Sequence, residues 1–187
     1  MTGDPPAGTS SGPGLTRHIV VMGVSGSGKT TVAKGISTAT GLMFAEADEF
    51  HSEYNVAMMR SGVPLDDADR WPWLHDLAAW MAARAADGIS TVLACSALKR
   101  SYRDVLRQGP PGVDFVHLDG AAAVIRQRLS ERAGHYMPAS LLDSQIAALE
   151  PLQPGESGLV LDVSLPPEEL VSAAVSRLGL RRTAELA

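Results

Sequence analysis

Gly23-Val24-Ser25-Gly26-Ser27-Gly28-Lys29-Thr30 decides how this 187-residue chain is read. The octapeptide satisfies G-x-x-x-x-G-K-[ST], the phosphate-binding loop, at every fixed position. Its flanks fit as well: the apolar run His18-Ile19-Val20-Val21-Met22 predicts a strand before it. Residues 31–40 predict a helix after it, with Val32 and Ile36 on one face. Glycines let the backbone turn tightly and aim successive N–H groups at an anion, and the helix N-terminus adds its partial positive charge. On this reading Gly23, Val24, Ser25, Gly26, Ser27, Gly28, Lys29, Thr30 and Thr31 hold the phosphates of ATP. Lys29 bridges the β- and γ-phosphates, and the Thr30 hydroxyl ligates Mg²⁺.

Strand and helix signals alternate through the rest of the chain. Residues 42–45, 89–95, 113–118 and 158–163 read as further strands. Residues 52–60, 66–86, 99–107, 121–132, 140–150 and 166–178 read as helices, with Pro72 inside the 66–86 segment placing its start near Trp71. The uninterrupted apolar run at 89–95 is what a strand buried on both faces requires. Together these predict an α/β fold, a five-stranded parallel sheet with helices on both faces.

Composition bounds the function classes. One domain of this length can bury a sizeable core. A net charge of -5 argues against nucleic acid or an anionic membrane as partner, and no apolar stretch is long enough to span a bilayer. The single Cys95 allows no internal disulfide and suits a reducing, cytoplasmic setting. Residues 1–16, rich in Gly, Pro, Ser and Thr, read as a disordered tail without signal-peptide character, residues 17–180 as the folded domain, and 181–187 as a frayed end.

Ligands of parallel sheets bind at the carboxyl ends of the strands. The second strand delivers Glu46, Asp48 and His51 there, and the third delivers Ser96, Lys99 and Arg103. Asp48 suits a base toward a phosphoryl acceptor, although an N-cap for the following segment would use the same residue. Glu46 lies within reach of the metal through a water, or else is a solvated strand-end charge.

Beyond the loop, several segments carry a resemblance. They are Asp48-x-x-His51-x-x-x-Asn55, Gly62-x-Pro64-Leu65-x-Asp67-x-Asp69-Arg70-x-Pro72-Trp73-Leu74 and Cys95-Ser96-Ala97-Leu98-Lys99-x-x-Tyr102-Arg103-Asp104. Arg128-Leu129-x-x-Arg132-x-Gly134-His135-Tyr136-Met137 and Ser144-Gln145-x-x-x-Leu149-Glu150 continue the series. In this order they resemble the thermoresistant-type gluconokinases, from about Ile19 to Leu178. The resemblance implies a nucleoside-monophosphate-kinase-like fold with a small lid at about 128–140, ATP-dependent phosphorylation of D-gluconate to 6-phospho-D-gluconate, and a homodimer. The chain departs from the family where Asp-Gly-Asp is common, having Glu46-Ala47-Asp48, and where His-Pro is common, having His51-Ser52.

An extended polyol acid needs a cation at one end and hydroxyl partners along its length. Arg70, Lys99 and Arg103 are the candidates for its carboxylate. His51 and Asn55 are candidates for its hydroxyls, and the resemblance adds His135 and Gln145. Arg128 and Arg132, four apart, share a helix face beside Gly134 and are placed to bring positive charge onto the transferring phosphoryl group. A shikimate-type kinase and a slowly hydrolysing nucleotide switch are the alternative readings. The chain has no Asn-Lys-x-Asp segment for guanine.

Overall fold

The computed structural model describes residues 16–131 and 139–183. Five strands form one wholly parallel sheet: β1 (His18–Met22), β2 (Met43–Glu46), β3 (Thr91–Ala94), β4 (Val113–Asp119) and β5 (Gly158–Asp162), in the order β2-β3-β1-β4-β5. The helices are α1 (Lys29–Thr40), α2 (Glu53–Arg60), α3 (Asp67–Ala86), α4 (Arg100–Gln108), α5 (Ala122–Glu131), α6 (Ala139–Ala148) and α7 (Pro167–Arg177). A 3-10 turn, Ala47–Phe50, follows β2 and was not foreseen from the sequence.

Alternation along β1 sorts the helices between the two faces. Ile19 and Val21 pack with Val32 and Ile36 of α1, Leu170 and Ala174 of α7, Ile125 and Leu142. Val20 and Met22 point the other way, into Leu74, Leu77 and Met81 of α3 and Tyr102 and Leu106 of α4. Every β1 residue is buried. The connection from β1 runs to the β2 edge and that from β3 to β4, on the opposite side. The reversal opens a crevice at the carboxyl ends of β1 and β3, where a ligand fits without displacing core.

Two chain ends differ from expectation. Thr16, assigned to the tail, places its hydroxyl 3.0 Å from His18 Nε2. Thr183, assigned to the frayed end, donates its hydroxyl to the Ala39 carbonyl at 3.2 Å. Most of the expected lid, with Arg132, Gly134 and His135, lies outside the described residues.

Helix α3 begins four residues before Trp71. Its start is set by a capping box: Asp66 Oδ1 accepts from Asp69 N at 2.8 Å and Asp69 Oδ2 accepts from Asp66 N at 3.0 Å. This cap holds the first turns although Pro72 has no N–H to return to the chain. Asp66→Ala should therefore cost about 1 kcal/mol in urea unfolding, and Asp66→Asn less, because it keeps the accepting oxygen. An unchanged midpoint for Asp66→Ala would show that the helix start is fixed by something other than this cap.

Candidate active site

The phosphate loop has the geometry its glycines predict. Gly23, Gly26 and Gly28 adopt φ of 143°, 82° and 95°, in the region L-residues avoid. At Gly23 a Cβ would also lie 2.7 Å from the Leu118 carbonyl oxygen, and at Gly26 2.5 Å from Leu129 Cγ. Gly28 opens α1, with nothing within 4 Å of a Cβ there. The Lys29 ammonium folds back to the Val24 carbonyl at 3.1 Å. Thr31 is exposed in the first turn of α1. Ser25 N–H, one of the loop amides, donates to Gln145 Oε1 of α6 at 2.7 Å. Gln145, expected at the acceptor, thus reaches the phosphate loop.

Beside the loop, the Thr30 hydroxyl donates to Glu46 Oε2 at 2.7 Å. Half-burial pushes the Glu46 carboxyl above its usual range. The Thr30 hydrogen bond opposes that rise, and the neighbouring Asp48 adds to it. A hydroxyl and a carboxylate are hard oxygen donors, and few protein ligands beside phosphate oxygens is how Mg²⁺ is usually held, so the pair fits that ion. Asp48 is exposed on the 3-10 turn one residue beyond Ala47.

His51 caps that turn and stacks on Trp73, ring centroids 4.2 Å apart and planes 16° apart. Asn55 Nδ2 donates to the Asp69 carbonyl at 2.9 Å, which fixes the amide's orientation, and lies 3.4 Å from His51 Nδ1. His51 Nδ1 is therefore the acceptor. Burial lowers the His51 pKa, with Asp48 opposing and Arg70 assisting, so the neutral ring carries its proton on Nε2. Asn55, 5% exposed, holds His51 and α3 together.

A cleft of about 370 Å³ lies between the start of α3, the β3–α4 turn and α6, with Asp67, Arg70, Leu98, Lys99, Ser144 and Gln145 in its wall. Lys99 Nζ donates to both Asp67 oxygens, at 2.8 and 2.9 Å. The pair lowers the Asp67 pKa, first through Lys99 and then through Tyr102, and raises that of Lys99. The Tyr102 hydroxyl donates to Asp67 and accepts from Arg70 Nη1 at 3.3 Å, and the Arg70 guanidinium lies 5.8 Å over the Tyr102 ring. Arg70 has no carboxylate partner among the described residues. A larger hollow of about 710 Å³ runs along α2 with His51 on its rim, but its wall does not reach the phosphate loop. Tyr102 was not singled out from the sequence. Its signal was its fixed place in the Cys95–Asp104 segment, three residues after Lys99, the N-cap of α4.

Arg103 corrects the sequence reading. Its side chain is fully buried, and Nε and Nη2 grip Glu156 at 2.7 and 2.8 Å. It is committed inside the protein and does not face the cleft. Arg128 donates to the carbonyl of Val163, the residue after β5. Cys95 is buried, and burial pushes its thiol up to about 12, which disfavours the thiolate a nucleophile needs.

A phosphate loop on a central parallel strand, with a cleft carrying Arg70 and Lys99 alongside, defines the P-loop class of phosphotransferases. Comparison with known proteins agrees. Residues 19–152 match the family model described as an AAA domain. A gluconokinase of Gluconobacter oxydans is 50% identical over 148 residues, 79% of this chain and 82% of that one. The solved structure of a sugar kinase from Janibacter sp. HTCC2649 is 64% identical with a TM-score of 0.86, covering 88% of this chain and 95% of that one. A gluconokinase structure from Sinorhizobium meliloti 1021 is 44% identical with a TM-score of 0.79, covering 88% and 93%. The chain belongs to the gluconokinase family.

The Arg103 guanidinium holds Glu156 down to about 2, against burial, with the Gln153 N–H and Arg107 assisting. A carboxylate that ionises more easily folded than unfolded adds stability above its ordinary pKa of 4.5 and loses it as the pH falls through about 2. Glu156→Gln leaves Arg103 buried without its counter-charge and should cost about 3–5 kcal/mol at neutral pH. In denaturant titrations the gap from wild type should close as the pH falls from 4.5 toward 2. A gap that stays constant over that window would contradict the ion pair.

Proposed function

We propose that this chain transfers the γ-phosphoryl group of ATP to the terminal hydroxyl of D-gluconate, giving 6-phospho-D-gluconate and ADP. The observation that carries this reading is the cleft in which Arg70 hydrogen-bonds Tyr102 and forms no ion pair among the described residues, while Gln145 joins the wall to the phosphate loop. An anion in that cleft satisfies Arg70 with a charge-assisted, bidentate-capable partner. The amides of the loop and Lys29 hold the ATP phosphates and stabilise charge as it develops on the transferring group. Mg²⁺, held by Thr30 with Glu46 behind it, would neutralise phosphate charge.

Asp48 takes the proton of the attacking hydroxyl as the oxygen–phosphorus bond forms and the bond to the bridging oxygen of ADP breaks. His51, neutral and oriented by Asn55 and Trp73, donates from Nε2 to a substrate hydroxyl. Arg128 and Arg132 remain the candidates for charge on the transferring phosphoryl group, and His135 for a further substrate contact. The homodimer and the cytoplasmic setting belong to the same proposal.

An assay of ADP formation with gluconate, shikimate and adenosine monophosphate at equal concentration tests the assignment. Gluconate should be turned over far faster than the others. Comparable rates on shikimate would overturn the acceptor and leave the kinase standing. Lys29→Ala should lose about a hundredfold or more in kcat, and near-normal activity in the folded variant would sink the loop's role.

Asp48→Asn should lower kcat with little effect on ATP affinity. Arg70→Gln should instead raise the KM for gluconate, with ATP binding unchanged. Loss of ATP binding in Asp48→Asn would move that residue to the nucleotide site.

A further inference from the structure

The buried Arg103 lies under a turn with unusual backbone. Ala97 adopts φ 43° and is the non-glycine residue of positive φ among those described. Such a conformation crowds Cβ against the following carbonyl and persists only where the surroundings over-determine it.

Here the surroundings are explicit. Arg103 Nη1 donates to the Ala97 and Leu98 carbonyls at 3.2 and 3.3 Å. The Leu98 carbonyl also accepts from Glu150 N at 2.8 Å. Glu150 Oε2 accepts from Arg100 N at 2.6 Å, capping α4 where Lys99 supplies no side-chain cap. Arg103 is itself fixed by Glu156 and by the carbonyls of Glu150 and Pro151, at 3.0 and 3.3 Å. The connector between α6 and β5 thus closes around one guanidinium, and that guanidinium pins the turn.

The turn joins the two halves of the candidate site. Just before it, the Ser96 carbonyl accepts from Gly23 N at 3.3 Å, at the first residue of the phosphate loop. Just after it, Leu98 and Lys99 line the acceptor cleft. Rotating Ala97 out of positive φ would shift one relative to the other.

We propose that Arg103 and Glu156 are positioning residues for phosphoryl transfer, their buried pair holding the Ala97 turn so that Lys99 faces the acceptor while Ser96 stays against the phosphate loop. This inference rests on the gluconate reading above.

A variant cycle in the full chain tests it, below the melting point of each variant. Arg103→Lys keeps the charge on Glu156 but loses the planar fork that reaches two carbonyls at once. It should lower kcat/KM for gluconate by about ten- to a hundredfold, the scale of a small misplacement of reacting groups, with ATP affinity within about twofold. Adding Ala97→Gly should restore a large part of that loss without restoring thermal stability, because glycine takes positive φ at no steric cost.

A purely structural ion pair predicts the reverse: lower stability, wild-type gluconate kinetics and no rescue by glycine. Either wild-type kinetics in folded Arg103→Lys or failure of the glycine to rescue overturns the proposal. Should Arg103→Lys not fold, Glu156→Gln with and without Ala97→Gly gives the same two outcomes. A wild-type protein that forms no ADP with gluconate would instead remove the gluconate reading, and this inference with it.

Discussion

The active edge depends on the double confinement of β1. Both edges of this strand are hydrogen-bonded, to β3 and β4, and both faces are covered. The chain leaving Met22 therefore has no lateral freedom, and the first residue of the loop must turn against its neighbours. Gly23 does so with its N–H on the Ser96 carbonyl, in a place where a Cβ would meet the Leu118 carbonyl and Ser27 Oγ. A side chain here would push the loop off the ends of β3 and β4. The rigidity that packing gives β1 is thereby passed to the amides that face the phosphates, and preorganised amides cost no reorganisation when charge develops.

Two ion pairs beside this edge show how burial divides structural charge from available charge. Lys99 and Asp67 are 30% and 46% exposed, and a pair of that kind contributes about 0–1 kcal/mol. Such a pair can open at little cost. Arg103 and Glu156 are both fully buried, so separating them would strand two charges away from water. The cations that the sequence offers as equals are thus unequal in the fold. Arg103 is bound to the scaffold, Lys99 is exchangeably paired, and Arg70 is held by an aromatic ring and a hydroxyl, with Asp67 nearby and not in direct contact.

What could be read in advance follows the range of the interactions concerned. The loop, the strands and the faces of α1 and α3 are local patterns, and they are where the residues place them. The start of α3 was misjudged because Pro72 is a strong local signal, whereas the Asp66–Asp69 box that overrides it looks like one more pair in an acidic run. Arg103 was misassigned because its partner lies fifty-three positions later, with nothing in the spacing to mark it. Tyr102 and Trp73 act by supporting Arg70 and His51, a role composition does not reveal. Asn55 was singled out by the resemblance as a hydroxyl partner, and what its spacing did not reveal is that it is buried against Asp69 and His51.

Unsatisfied chemistry is distributed unevenly over the sheet. At the amino end of the strands, His18 meets Thr91 Oγ1 at 2.8 Å and Thr16, and Arg17 pairs with Asp114 at 2.7 Å. At the carboxyl end, Ser27 Oγ is buried without a partner among the described residues. Both nitrogens of buried His117, level with Met22, are in the same position. Ala97 is strained and Glu46 is held above its usual pKa at that same end. Arg84 Nε, far along α3, is the exception. Each unmade bond or strained angle costs stability, and a fold tolerates such costs where function requires them. Their concentration around the phosphate loop marks this edge as the place where the chain trades stability for chemistry, independently of the loop's own sequence pattern.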